Sequence, residues 1–252
     1  MKRMTNWEFY LHDFESMGLC ELDAQNFSDR KDTKSIFSSA IVPQLIARLT
    51  DLYKILEVNG TRIFHYESLY LDTPDLKFYN DHQRNKARRH KIRFRRYVDQ
   101  GSSYFEIKTK NGKGRSSKTR IPTNGDYSVL SSALKEVVRV RAETDPDSLS
   151  PSLQVAVNRI TLLHKDGSEK VTLDFNVQFN SDGKKKELND LVIAEVKQIK
   201  FNPNSDFFKI QKQLGISPLS ISKYCVGVAS LNDHVKTNRF KASLMKIHKI
   251  TN

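Results

Sequence analysis

Charged residues alternate with apolar ones along several short stretches of this chain. In the clearest stretch, Lys91, Arg93 and Arg95 alternate with Ile92 and Phe94. The pattern recurs at Glu106, Lys108 and Lys110, at Lys118 and Arg120, and at Glu195 and Lys197. Because successive side chains of a β-strand point to opposite faces, each stretch places its charges on one face of a sheet. The pattern predicts a sheet whose apolar face is covered and whose mostly basic face lines a cavity for a polyanion.

The composition is that of a globular protein with a large basic excess. The 252 residues are 38% hydrophobic and carry a formal charge of +13. A chain of this length without a low-complexity linker is typical of one large β-rich domain or two small ones, and we interpret it as a single domain. The charge implies an anionic partner, but charge alone leaves nucleic acid, an acidic membrane and a phosphate compound open.

The two cysteines and the lack of a long apolar run indicate the compartment. Cys20 and Cys225 are too few for a disulfide framework or a cysteine metal site, which favours a reducing compartment. No stretch approaches the roughly 20 apolar residues of a membrane span. The sequence therefore predicts a cytoplasmic protein with no membrane span.

Hydrophobic periodicity predicts an α+β fold. Strands are predicted at 29–37, 56–58, 63–71, 89–98, 103–110, 117–121, 155–164, 170–179 and 191–198, and helices at 7–19, 42–53, 76–79, 128–139, 204–214 and after 222. Asn59-Gly60 favours a type I′ hairpin turn, and 111–115 is interpreted as a hairpin turn because it lacks the spacing of a phosphate-binding loop. The sum is a mostly antiparallel sheet of about eight strands with flanking helices, compatible with a closed barrel.

Several motifs taken together resemble a known family. They are Asp32-Thr33-Lys34, Leu69 to Pro74, Lys91 to Tyr97, Phe105 to Lys110, Lys118-Thr119-Arg120, Leu173 to Asn176, Ile193 to Lys197, and Ser222 to Cys225. In order and number they resemble the VTC domain, the polyphosphate polymerase branch of the triphosphate tunnel metalloenzymes, also called the CYTH-like superfamily. The resemblance implies an N-terminal helical segment at 1–27, packed on a tunnel domain at 28–252.

The resemblance also implies roles for individual residues. The family fold is an antiparallel barrel whose tunnel is lined with Lys and Arg and holds a divalent metal, manganese or magnesium. Catalytic phosphate contacts would come from Lys34, Arg93, Arg95, Lys108, Lys118 and Lys223. Further substrate-binding residues would be Arg120, Arg159, Lys170, Lys197 and His82. Glu195 would hold the metal, with Glu106 and Asp174 as weaker candidates.

The sequence departs from the family pattern at two places. Tunnel triphosphatases usually begin with Glu-x-Glu-x-Lys, where this chain has Arg30, Asp32 and Lys34. Loss of the first Glu removes a carboxylate from the metal side, which disfavours hydrolysis. Eukaryotic polymerases of the group carry an Arg where His82 aligns, and the regulatory and membrane domains of those proteins are missing from this sequence, which predicts a stand-alone catalytic domain.

Three functions are compatible with these residues. The first is a polymerase that transfers the γ-phosphate of ATP onto inorganic polyphosphate, for which an anionic terminal phosphate needs no general base. The second is a tunnel triphosphatase that hydrolyses inorganic or nucleoside triphosphate. The third is a binding module for polyphosphate or nucleic acid, and nucleic acid is disfavoured because the aromatic residues alternate with the charges and are predicted to be core.

Simpler structural interpretations apply to the same residues. The run from Lys91 to Arg95 could be a solvated sheet face, with Lys91 and Arg96 as its exposed members. Glu195 and Lys197 could form an ordinary ion pair. Both interpretations are tested by the position of these side chains in the fold.

Overall fold

The computed structural model describes residues 7–25, 27, 30–112, 116–123 and 129–252. Within them, the strands β1 to β11 are Glu15–Met17, Lys31–Ser38, Tyr53–Leu56, Phe64–Asp72, Arg89–Tyr97, Ser102–Lys110, Ser116–Thr123, Ser150–His164, Glu169–Ser181, Lys184–Leu188 and Leu191–Gln198. The helices α1 to α7 are Leu19–Ala24, Val42–Leu49, Lys77–Gln83, Ser132–Ala142, Asp206–Gln213, Lys223–Leu231 and Lys241–Thr251. Short 3₁₀ helices include Glu8–Asp13 and Asn238–Phe240.

One antiparallel path of eight strands forms the body of the sheet. Its order is β2-β11-β9-β8-β4-β5-β6-β7, and β1, β3 and β10 attach beside it. The path curls so far that Lys108 on β6 comes within 3.8 Å of Asp32 on β2. The predicted antiparallel sheet of about eight strands with flanking helices is therefore confirmed. Within the described residues, hydrogen bonds do not close the sheet into a barrel, because β2 and β7 are the two ends of the path.

Two apolar clusters cover the outer face of the sheet. On one side, Leu45 and Ile46 of α2 and Phe207 of α5 pack on buried residues of β8, β9 and β11. On the other side, Val138 of α4 and Phe78 of α3 pack on residues of β5 and β6. The apolar residues that alternate with the charges thus point outward into these clusters, as the pattern predicts.

The third cluster lies on the inner face and fills one part of the curled sheet with a helix. Tyr224, Val226 and Val228 of α6 pack there against residues such as Leu153 and Phe179. The helix approaches closely because of Gly227: a Cβ at that position would lie 2.5 Å from Leu153 Cδ2 and 2.8 Å from Phe179 Cδ1. Any side chain there would push α6 away from the sheet.

A β-bulge keeps two parts of β9 facing inward. The register between β8 and β9 shifts after Ala156, and Asn176 in the facing strand has a φ of 49°. The extra residue lets Asp174 and Val177 point to the same side although they are three residues apart. Asp174 consequently faces the charged part of the cavity, and Val177 belongs to the apolar cluster beneath α6.

Several predicted elements differ from the structure. The helix predicted at 42–53 ends at Leu49, and Tyr53 begins β3, which pairs with β8 rather than with β4. The Asn59-Gly60 turn is present, with positive φ at both residues and a bridge between Val58 and Thr61. The segment predicted as a helix at 7–19 contains a 3₁₀ helix, β1 and the start of α1.

Parts of three predictions lie outside the described residues. They are positions 113–115 of the turn at 111–115, position 128 of the helix at 128–139, and positions 1–6, 26 and 28–29 around the boundary between 1–27 and 28–252. In the described part of the first segment, Trp7 packs edge-on against Phe175, with 4.8 Å between ring centroids.

Helix length and composition also bear on membrane insertion. None of the helices in the described ranges combines the length and the apolar character needed to cross a bilayer.

Candidate phosphate-binding tunnel

Every cation predicted on the sheet projects from its inner face. Cross-strand pairing places Lys34 opposite Glu195, Lys197 opposite Lys170, and Arg159 opposite Asp174. On the other half of the sheet, Arg93 lies opposite Glu106, which lies opposite Arg120. Because directly opposed residues of a sheet share a face, these charges line one surface. We call the space enclosed by this surface the tunnel.

Glu106 occupies the centre of one charged row. Its carboxylate accepts hydrogen bonds from Arg93 Nε at 2.9 Å and Nη2 at 2.6 Å. Lys118 Nζ lies 2.6 Å away and Arg120 Nε 3.5 Å away, while the Glu106 side chain is only 2% exposed. Burial raises the pKa of Glu106, but Arg93, Arg95 and Lys118 outweigh burial and hold the pKa far below its usual range. Glu106 is thus a permanently ionised residue that organises three cations.

Asp174 plays the same part on the opposite wall. It accepts two hydrogen bonds from Arg159, at 2.5 and 2.8 Å, and pairs with Lys223. Burial raises the pKa of Asp174, but Arg159 and Lys223 lower it well below its ordinary value. Lys223 reaches Asp174 from the first turn of α6, so this contact ties the helix to the tunnel wall.

The position of α6 depends on Asp72, which ends the Leu69 to Pro74 motif. Asp72 is fully buried and accepts hydrogen bonds from the backbone of Phe78 at 2.9 Å and Tyr79 at 3.0 Å. It also accepts one from the Tyr224 hydroxyl. This carboxylate therefore holds α3 and α6 against β4. The Leu69 to Pro74 motif thus has a structural role beside the tunnel.

Glu195 is the least tightly paired of the three predicted acids. Lys197 Nζ lies 3.0 Å from it, and Lys34 Nζ lies 3.9 Å away across the strand pair. Burial raises the pKa of Glu195, but Lys197, Lys34 and Lys108 hold it well below 4.5. The ion pair with Lys197 that the sequence allows is present, and it lies inside the tunnel rather than on an outer surface.

A row of three lysines crosses the tunnel beside the Glu106 row. Lys91 lies opposite Lys108, and Lys108 lies opposite Lys118. Burial lowers the pKa of Lys91 to about 8, and its neighbours Lys34 and Lys108 contribute to this shift. Burial likewise lowers the pKa of Lys118 to about 8. Like charges directly opposite each other destabilise a sheet. Lys118 pairs with Glu106 and Lys108 lies 3.8 Å from Asp32, so Lys91 is the member of the row that has no ion pair among the described residues.

The expected exposure of Lys91 is wrong, and that of Arg96 is confirmed. Lys91 lies on the same inner face as Arg93 and is half-buried because α6 packs nearby. Arg96 points to the outer face, where its side chain is 44% exposed and lies 3.7 Å from Glu67.

Tyrosines and a serine support the arginines in ways that the motifs do not mark. Tyr70 hydroxyl accepts a hydrogen bond from Arg93 at 3.0 Å, and Ser68 accepts one from Arg95 at 3.2 Å. Arg120 lies over the ring of Tyr104, with 3.6 Å from its guanidinium carbon to the ring centroid. Ser68 and Tyr70 are two residues apart on β4 and therefore lie on the same face. This spacing would have identified them as partners of the arginines once the register with β5 was known.

Asp32 is a further acid of the tunnel that the motif comparison did not assign to a role. It lies 2.9 Å from Arg30 and 3.8 Å from Lys108. Arg30, which stands where the triphosphatase pattern has a Glu, thus neutralises Asp32 instead of adding a second carboxylate.

His82 and Lys170 lie at opposite ends of the tunnel. His82 is on α3, where burial and the nearby charges of Lys91 and Arg89 keep its pKa far below 6.5, so its ring is neutral. Lys170 lies near the other end, 5.0 Å from the ring centroid of Phe27. Neither residue contacts the Glu106 row directly, and their assignment to substrate binding stays a prediction.

A protein-only metal cage is not formed by the side chains that the structure describes. No group of three or more His, Cys, Asp or Glu residues among them is placed to hold an ion. All three carboxylates have cationic neighbours, and Glu195, whose ion pairs are the longest at 3.0 and 3.9 Å, is the one best suited to a divalent metal. Mg²⁺ commonly binds one or two carboxylates and completes its shell with substrate phosphates and water, so a single carboxylate fits such a site.

One solved structure shares the fold at low sequence identity, and a second gives a lower structural similarity. The protein HpAC1 from Hippeastrum, described as having a dominant triphosphatase activity, superimposes with a TM-score of 0.51 and 12% identity, covering 79% of this chain and 95% of that one. A Vibrio parahaemolyticus protein described as an adenylate cyclase candidate gives a TM-score of 0.47 and 12% identity, covering 79% of this chain and 98% of that one. The search of the curated proteins found no match.

The family assignment comes from the sequence itself. The sequence profile of the VTC domain matches residues 29–232, which is most of the chain and contains every strand that lines the tunnel. Together with the curled antiparallel sheet and its charged inner face, this match supports a function in handling phosphoryl groups. The chain belongs to the VTC domain family, and its fold is that of the CYTH-like triphosphate tunnel proteins.

Proposed function

We propose that this protein is a polyphosphate polymerase, which transfers the γ-phosphate of ATP onto a growing chain of inorganic polyphosphate with the help of manganese or magnesium. The observation that carries the proposal is the state of the tunnel carboxylates. Glu106, Asp174 and Glu195 are all engaged by cations, and each has a lowered pKa. The tunnel is thus rich in groups that bind phosphate, and its carboxylates are poor proton acceptors.

This distinction separates the two reactions of a triphosphate tunnel. In polymerisation, an oxygen of the acceptor's terminal phosphate forms a bond to the γ-phosphorus, the bond from that phosphorus to the bridging oxygen breaks, and ADP leaves. The acceptor oxygen is already anionic, so no proton has to be removed. Hydrolysis requires a positioned water and usually a general base with a pKa near the working pH. Carboxylates with strongly lowered pKa values serve poorly as that base.

The remaining task of the protein is positioning and charge neutralisation. Arg93 is held by Glu106 and Tyr70, and Arg159 is held by Asp174, so both guanidinium groups are fixed before substrate arrives. Preorganised cations that face the transferred phosphoryl group stabilise its transition state without reorganisation. Lys34, Arg95, Lys108, Lys118 and Lys223, with the wall residues Arg120, Lys170 and Lys197, would hold the other phosphates.

Glu195 is the residue that would hold the metal. A divalent ion held there would neutralise charge that develops on the transferred phosphoryl group. Glu195 keeps its carboxylate ionised through Lys197 and Lys34 and lies opposite Lys34, in the middle of the predicted phosphate contacts.

A triphosphatase is the second candidate, because the Hippeastrum protein that shares the fold is described as one. The ion pair between Asp32 and Arg30 argues against a triphosphatase, because it neutralises the Asp32 carboxylate at the start of β2. A nucleic-acid reader is disfavoured because the tunnel tyrosines are covered: Arg120 occupies the ring face of Tyr104, where a base would stack.

The test is an incubation of the full chain with ATP and manganese, followed by gel analysis for polyphosphate. Long chains together with ADP support the polymerase. Release of inorganic phosphate without chains would support the triphosphatase, and binding of triphosphate without turnover would support a binding module.

Glu195→Gln and Lys223→Ala sharpen this experiment. Glu195→Gln preserves shape but removes the charge that a hard cation needs, so it should abolish metal-dependent turnover while triphosphate still binds in the absence of metal. Lys223→Ala should weaken binding and turnover together. Normal turnover in Glu195→Gln would refute the metal role of this residue.

A further inference from the structure

One end of the tunnel carries cations that no carboxylate balances. Arg89 lies directly opposite Lys110 on β5 and β6, one step beyond the row that contains Lys91. Arg239, in the 3₁₀ helix Asn238–Phe240, lies near enough to contribute to lowering the pKa of Arg89, which burial lowers first. Among the described residues, Arg89, Lys91, Lys110 and Arg239 form no ion pair.

Two buried nitrogens at this end also lack partners. Arg89 Nε and His82 Nε2 are shielded from solvent, and neither makes a hydrogen bond within the described part of the chain. Buried polar atoms are normally satisfied, and each exception calls for a water, an ion or a ligand. Arg89 Nη1 is held by the Lys86 carbonyl at 2.7 Å, so the guanidinium is anchored while its Nε stays available.

The charges continue from this buried point to the surface. Lys91 and Arg89 are half-buried, whereas Lys110 and Arg239 are exposed. Arg239 is held near α3 because its neighbour Phe240 packs on Tyr79, with 5.6 Å between ring centroids. Arg89, Lys110 and Arg239 therefore form a cationic exit, the name used below for these three residues.

The opposite end of the tunnel has carboxylates beside its cations. Strand ends at Gln198 and Tyr97 lie there, on the far side of the sheet from Arg89. Lys54 lies 2.9 Å from both Glu15 and Glu21, although Lys170 has no ion pair among the described residues. The cationic exit differs in that none of its three described cations pairs with a described carboxylate.

We propose that a long inorganic polyphosphate chain leaves the tunnel through the cationic exit, where Arg89, Lys110 and Arg239 bind phosphates beyond those held by the tunnel walls. This inference rests on the proposed function, since it assigns a path to the product of that reaction. The binding energy it adds acts only on chains long enough to span from the Glu106 row to the exit. Short ligands such as inorganic triphosphate bind within the tunnel and do not reach the exit.

The test compares two probes, inorganic triphosphate and long-chain inorganic polyphosphate, by equilibrium binding to the full chain without ATP. The test variant combines Lys110→Glu with Arg239→Glu. The control combines Lys200→Glu with Lys212→Glu, which makes the same change in net charge at two exposed lysines away from the exit that have no ion pair among the described residues.

A charge-assisted phosphate contact is worth about 1.5–3 kcal/mol, so the exit variant should bind long-chain polyphosphate at least about tenfold more weakly. Its affinity for triphosphate should stay within about twofold, and the control should bind both probes nearly as the unmodified protein does. An unchanged affinity of the exit variant for long chains would overturn the proposal. So would an equal loss for both probes, or an equal loss in the control.

The proposed function can fail independently of this result. If no polyphosphate forms from ATP, the polymerase is refuted, but a length-dependent loss in the exit variant still establishes the path of the bound chain. If polymerisation occurs and the exit variant makes products of normal length with normal long-chain affinity, the exit alone is refuted.

Discussion

Two neighbouring rows of charged residues on the same three strands differ in how their charges are paired. In one row Glu106 lies between Arg93 and Arg120, and in the next Lys108 lies between Lys91 and Lys118. Both rows are contributed by β5, β6 and β7 and both face the tunnel. In the first, a carboxylate that is only 2% exposed lies between the two arginines and pairs with both. The second has no carboxylate of its own: Lys118 pairs with Glu106 of the first row, Lys108 lies 3.8 Å from Asp32, and Lys91 has no ion pair among the described residues.

The difference indicates which charges serve the fold and which serve the ligand. The buried carboxylate of the first row fixes the geometry of its arginines whether or not substrate is present. Lys91, which has no ion pair among the described residues, gains a counter-charge when an anion binds, so the protein without ligand is less stable than it would be with a neutral residue at this position. At an effective dielectric of 20, a close pair of like charges repels by about 4 kcal/mol.

The largest effect is expected when the first row loses its acid. Glu106→Gln leaves Arg93, Lys118 and Arg120 without a counter-charge, and removal of one partner from a buried ion pair typically costs about 3–5 kcal/mol. We expect the free energy of unfolding to fall by this amount in the absence of ligand, measured by urea denaturation at pH 7.

The same variant should recover stability when an anion replaces the missing charge. Triphosphate at about 100 times its dissociation constant adds roughly 2.7 kcal/mol to any protein that binds it only when folded. Glu106→Gln should bind triphosphate more tightly than the unmodified chain and thus gain more at equal concentration. A loss of stability that triphosphate does not reduce would contradict the role of Glu106 as an internal counter-charge.

Local sequence determined the faces of the strands but not the neighbours across them. Alternation identified the inward side of β5, β6 and β11, and the bounds predicted for β11 at 191–198 agree with the structure. The position of Glu106 between two arginines depends on the register of two hairpins, so alternation alone does not reveal it, and its place as a weaker metal candidate stays a prediction. That register is a pairing property that no single strand encodes.

Tertiary contacts explain the remaining differences. Tyr53 fits the helical spacing of the segment before it, yet it begins β3, because its hydroxyl bonds to the buried Glu169 on the neighbouring part of the sheet. Lys91 is expected from the sequence to be exposed, but it is half-buried and lies near enough to Cys225 of α6 for that residue to influence its pKa. Both contacts join residues more than 100 positions apart in the chain.

The lysine row should respond to neutralisation with the opposite sign. Lys91→Met removes a half-buried cation that has no ion pair among the described residues, and it retains most of the side-chain volume. We expect the ligand-free protein to gain on the order of 1–3 kcal/mol in the free energy of unfolding. Triphosphate affinity should fall about tenfold, measured by calorimetry. Destabilisation without ligand would show that Lys91 has a structural role like that of Glu106.

A smaller effect is expected from pH. The pKa of Lys91 is lowered to about 8 in the folded protein, chiefly by burial, whereas an unfolded lysine titrates near 10.4. Between these pH values the unfolded chain binds more protons, so the stability of the ligand-free protein should rise as the pH increases from about 8 to about 10. Triphosphate affinity should fall over the same range, because the row loses charge.

The Lys91→Met variant isolates this contribution from those of other titrating groups. The difference in unfolding free energy between the two proteins should shrink as the pH rises above 8. A difference that stays constant from pH 7 to pH 10 would contradict the lowered pKa of Lys91.

The smallest effect should come from the outward arginine of β5. Arg96→Ala removes only an exposed contact with Glu67 at 3.7 Å, and such surface pairs contribute about 0–1 kcal/mol. Its inward neighbour Arg95 donates to Ser68 within the tunnel, so Arg95→Ala should lower triphosphate affinity and turnover by roughly ten- to hundredfold, as should Arg93→Ala. The three variants remove the same charge from one strand, so net charge cannot explain a difference among them. Equal losses at all three positions would mean that the tunnel acts through its overall potential, and the contrast between the two rows would then have no consequence for binding.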